Sequence, residues 1–167
     1  EVLRKFWRDQ SYQEYLAAPA PLVSVLSDKV LLATAKARLG TPDAGEAIAS
    51  IRDVSPANAE FLSAIAARAH HDGSAVLTHL MHGLRMLQVA PWCQTELASE
   101  ALGIVPEMAR NKTISSDTRF AALFDQLGRT YPVDVIRGAR MGCRCEMALH
   151  LDTKRMLDAV STMGTPY

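Results

Sequence analysis

The sequence predicts an all-α fold, a compact right-handed bundle or irregular solenoid of about eight short helices. Three observations carry this. Apolar residues recur at steps of three and four along nearly the whole chain, the spacing that stacks side chains on one helix face. Prolines and glycines stand where helices start and stop. Strand alternation with a partner run to pair with is missing. The 167 residues have the length of one helical domain, 1–167, able to bury roughly two-thirds of its unfolded surface without disulfides or metal.

From Val2 to Leu16, residues Leu3, Phe6, Trp7, Tyr12 and Leu16 lie among charges, as in an amphipathic helix interrupted near Asp9-Gln10-Ser11. Ala18-Pro19-Ala20-Pro21 ends it, because proline disfavours a helical residue before it and has no N–H to donate. Between Leu22 and Leu39, residues Val23, Leu26, Val30, Leu31 and Ala35 keep helical spacing, and Gly40 stands where a left-handed cap is wanted. Thr41-Pro42-Asp43 reads as N-cap, first helical residue and an early acid favoured by the helix dipole. The short helix it opens carries Ala44, Ala47, Ile48 and Ile51. Ser55-Pro56 repeats the start signal for a helix with Phe61, Leu62, Ile65 and Ala66 inward, running to about His70. Asp72-Gly73-Ser74 is a turn with an N-cap at its end.

The stretch from Ala75 to Ala109 organises the chain. Leu77, Leu80, Met81, Leu84 and Leu87 share one helix face, and Leu97, Leu102, Val105 and Met108 form a second series beyond Val89-Ala90-Pro91-Trp92. Pro91 suits the first turn of that second helix. Arg110-Asn111-Lys112-Thr113 has turn composition, and Ser115 or Ser116 caps a helix carrying Phe120, Leu123, Phe124, Leu127 and Tyr131, closed by Pro132. Cys143, Cys145, Met147, Leu149 and Leu151 alternate at strand period, but a lone strand has no partner for its backbone, so the segment reads as helix or irregular packing. Asp152-Thr153 caps a last helix with Met156, Leu157 and Val160.

Eighteen basic and eighteen acidic residues cancel, so no whole-domain field draws the chain to nucleic acid or an anionic membrane. No apolar run approaches the roughly 20 residues of a membrane span, and Glu1-Val2-Leu3-Arg4 lacks a signal-peptide shape. A start without Met points to a longer parent chain. Three cysteines, two of them separated by one residue, fit a reducing compartment better than a disulfide framework.

Candidate chemistry is sparse. His79 and His82 lie one helical turn apart and can place two imidazoles on one metal, yet no acid stands nearby at ligand spacing. The pair reads as two polar histidines flanking an apolar stripe, and no metal site is assigned. Cys143, Cys145 and His150 supply three zinc-ligand types, but C-x-C is not the usual C-x₂-C, and packed thiols are favoured. Either cysteine as nucleophile needs a base close in space. His70-His71-Asp72-Gly73 reads as a polar helix end and turn. A phosphate-cradling glycine loop and a Gly-Xaa-Ser-Xaa-Gly elbow are both missing, so no catalytic residue and no cofactor are assigned. Arg137, Arg140, Arg144, Lys154 and Arg155 form a basic, solvated face, and the methionines, Met81, Met86, Met108, Met141, Met147 and Met156 among them, read mostly as core filling.

Residues 61–131 resemble the TFIIS N-terminal domain family, also called the LW domain, of transcription elongation factors and their associates. The resemblance lies in the helix Leu77 to Leu87 ending at Val89-Ala90-Pro91, then Leu97, Ser99, Leu102-Gly103, Met108 and Arg110, then the helix with Phe120, Ala121, Leu123, Phe124 and Leu127. Leu127-Gly128 stands about where the family carries a Trp. Segments 1–54 and 132–167 would be additional flanking helices. The resemblance implies a nuclear, non-enzymatic scaffold that captures disordered motifs, commonly a phenylalanine with acidic neighbours. Carried over by position, the peptide pocket is lined by His71, Asp72 and Gly73 and by Asn111, Lys112, Thr113 and Ile114. Arg110 and Lys112 meet the motif's acids, while Met108 and Ile114 receive its ring. The alternatives are a helical effector or viral protein engaging a host protein, and a metal-dependent enzyme.

Overall fold

Backbone interruptions separate the described helices, and several have an identifiable chemical cause. The computed structural model describes residues 12–17, 25–89, 93–129 and 138–143, where all regular secondary structure is helical. The helices are α1 (Tyr12–Ala17), α2 (Leu26–Leu39), α3 (Ala44–Ala49), α4 (Pro56–Ala69), α5 (Gly73–Val89), α6 (Thr95–Leu102), α7 (Ile104–Arg110), α8 (Lys112–Ser115) and α9 (Thr118–Arg129). Residues 138–143 are helical as well. The all-α class is thus borne out. The chain separates into two compact units, Glu1–Cys93 and Gln94–Tyr167. The division falls inside the 61–131 stretch.

The first unit is built on the α4–α5 hairpin. Phe61, Leu62, Ala64 and Ile65 of α4 and Val76, Leu77, Leu80 and Leu84 of α5 are buried, each large side chain contributing about 1.5–3 kcal/mol through removal from water. Helix α2 packs on α4 and buries Val30, Leu31 and the small residues Ala33, Ala35 and Ala37. Tyr12 and Tyr15 of α1 join Leu31 and Ala35 in a cluster flanked by Leu16 and Leu32. Arg38 donates to the Tyr12 hydroxyl, and its guanidinium lies 4.6 Å from the centre of that ring. Within α2 the buried Thr34 hydroxyl donates back to the Val30 carbonyl at 2.7 Å, which satisfies it without a partner helix.

Two helices of this unit end in the same backbone motif. After α2, Gly40 (φ 62°) donates to Ala37 and Thr41 to Lys36. After α4, His71 (φ 58°) donates to Arg68 and Asp72 to Ala67. Both are Schellman turns, whose left-handed residue is usually glycine. Gly40 meets the expectation; the second turn places a histidine there instead.

Starts differ from expectation by a residue or two. Asp43, not Thr41, precedes α3: the Thr41 hydroxyl and Lys36 both bind the Asp43 carboxylate, tightening residues 41–44 into a turn before the helix begins. Asp72, not Ser74, caps α5, its Oδ1 accepting from Ala75 N–H at 2.9 Å. Ser55-Pro56 opens α4 as expected, with proline in the first turn.

In the second unit the expected helix through Leu97 and Met108 is two helices, α6 and α7, parted at Gly103. Pro106 explains the break: it has no N–H for the Leu102 carbonyl and its ring crowds that position, so a continuous helix is excluded, while the third place of α7 tolerates it. The next described helix after α5 begins at Thr95, four residues beyond Pro91. Asp117, rather than Ser115 or Ser116, starts α9, its Oδ1 accepting from Arg119 N–H at 2.8 Å. Phe120, Leu123 and Leu127 are buried on α9 as the spacing predicts. Cys143 is buried and lies within the helical residues 138–143.

Several expectations lie outside the described residues: the helix before Tyr12, the stop at Ala18–Pro21, the corner Ala90-Pro91-Trp92, Tyr131 and Pro132. So do Arg137, Arg144, Cys145, Met147, Leu149, His150 and Leu151, and the last helix with Lys154, Arg155 and Met156.

Candidate functional site

The expected peptide residues fall in both units, each half built by local capping. His71 and Asp72 are the left-handed residue and the N-cap that turn α4 into α5, and both side chains are exposed; Gly73 begins α5. In the second unit Asn111 Oδ1 accepts from Thr113 N–H at 3.0 Å and from Ile114 N–H at 3.4 Å, while its carbonyl accepts from Ser115 N–H at 2.8 Å. Asn111 is therefore the cap of α8, which Lys112 opens. Arg110, Asn111 and Thr113 are exposed, Ile114 is half-buried and Met108 is buried in the core of its unit.

A second arrangement lies at the α4–α5 seam. Glu60 precedes Phe61 on α4, and with its residue only 6% exposed it is a carboxylate drawn into the packed interface. Burial of a charge is costly without partners. Arg52, from the α3–α4 connection, binds Oε1. His79 Nδ1 lies 2.8 Å from Oε2, and His82 Nδ1 lies 3.8 Å from the same oxygen. A carboxylate paired with arginine only accepts, so His79 Nδ1 carries the hydrogen and donates it. At 3.8 Å the His82 contact is electrostatic rather than a hydrogen bond.

The acid missing from the neighbourhood of His79 and His82 in sequence is thus supplied in space by Glu60, 19 residues before His79. Local spacing carries no trace of it. The available signal was weaker: an acid between Ala59 and Phe61, on a helix with few polar positions. Among the described residues, no group of three or more His, Cys, Asp and Glu is arranged to hold a metal ion.

Burial pushes the Cys93 thiol above its ordinary value, which suppresses the nucleophilic thiolate. Arg140, expected on a solvated face, is half-buried, with its guanidinium 5.5 Å from the centre of the Phe124 ring. Met108 fills core as expected, Met81 and Met86 are half-buried, and Met141 is 49% exposed. Among the described residues no helix is long and apolar enough to cross a membrane. No family model matches the chain, and neither a curated protein nor a solved structure matches it.

Proposed function

We propose that this chain is a non-enzymatic, nuclear interaction module of transcription elongation that captures short disordered motifs carrying an aromatic residue among acids. The reading rests on the resemblance over residues 61–131. One structural observation supports it: the Arg110–Ile114 segment carries an exposed arginine and a half-buried isoleucine on a backbone already tied down by the Asn111 cap. Apolar surface with adjacent positive charge suits an aromatic ring flanked by carboxylates. A pre-capped corner also loses little conformational freedom when it binds. The His71–Gly73 turn is a second contact candidate, ordered in the same way by its own backbone bonds.

An NMR titration of the full chain with a phenylalanine-containing acidic peptide tests this. Amide shifts at residues 108–115, with or without shifts at 70–74, are the expected result. Shifts confined to residues 1–50, or none, overturn it. Charge reversal of Arg110 to Glu should weaken the binding, and the loss should shrink at high salt.

A further inference from the structure

We draw no further inference here: the strongest candidate, the Arg52–Glu60–His79–His82 side-chain cluster at the α4–α5 seam, belongs to the arrangement already described, in which Arg52 and His79 occupy the two Glu60 oxygens and, among the described residues, no group of three or more His, Cys, Asp and Glu is placed to hold an ion.

Discussion

A β-carbon placed on residue 83 would stand 2.7 Å from Cε1 of Phe61, so the absence of a side chain at Gly83 is what lets α5 lie against that ring. Phe61 is fully buried and has no room to retreat without shifting α4. Gly83→Ala should therefore destabilise the first unit by about 1–3 kcal/mol through overpacking, despite the roughly 1 kcal/mol by which alanine favours a helix over glycine. Urea unfolding measures it. Adding Phe61→Leu should return part of the loss, a coupling expected only of residues in contact. A neutral or stabilised Gly83→Ala protein would show that the two helices do not pack this closely.

The left-handed residues Gly40 and His71 give a reciprocal pair. A side chain in that conformation costs roughly 1–2 kcal/mol. His71→Gly should raise stability by about 1 kcal/mol, visible as a higher melting temperature. Gly40→Ala should lower it by at least that much, because the new β-carbon would also stand 3.2 Å from the Ala69 β-carbon. Loss of stability in His71→Gly would place another interaction on that side chain.

Arg52 shields the buried Glu60 charge, so Arg52→Ala should destabilise by about 1–3 kcal/mol, the range for a charged hydrogen bond lost from a buried group. The replacement Glu60→Gln keeps one acceptor oxygen and puts a donor NH2 in place of the other, but it removes the buried charge, and so should cost less than Arg52→Ala, which leaves that charge without its cation. Thermal melts of the two variants decide the order. If Arg52→Ala is silent, His79 alone suffices to hold the carboxylate.

Acid should act on the carboxylates that precede α3 and α9. Hydrogen bonds from Lys36 and then Thr41 hold the Asp43 carboxyl below its usual range, and Arg119 does the same for Asp117. A lowered folded pKa means that the contribution is complete above the unfolded aspartate value of about 4 and is lost as pH falls through the lower folded value. Carboxyl-detected NMR should find both midpoints below that of a free aspartate. Lys36→Met should bring Asp43 back toward the ordinary value, and salt should do so partly. An ordinary midpoint for Asp43 in the parent protein would dissolve the Lys36 contact.

Helical periodicity was readable because burial of one face repeats every three to four residues wherever a helix packs, so Phe61, Leu77, Leu80, Leu84, Phe120, Leu123 and Leu127 announced themselves. Gly40 was readable for the same local reason, since its conformation is a property of one residue. The α6–α7 break was legible too, in Pro106, but it was outweighed by the apolar series running across it. Cap positions slipped because several adjacent residues, such as Thr41 and Asp43 or Asp72 and Ser74, can each accept a backbone hydrogen, and only the folded turn selects one.

The sequence by itself determined the helical class, the apolar stripes and the local stops, all of which depend on contacts within a few residues. Tertiary structure alone decided that Glu60 would meet His79 and Arg52, and that Phe61 would occupy the space left open at Gly83. These pairings follow from how α4 and α5 lie against each other, and the free energy that sets that arrangement is summed over the whole packed face rather than written in the spacing of either helix.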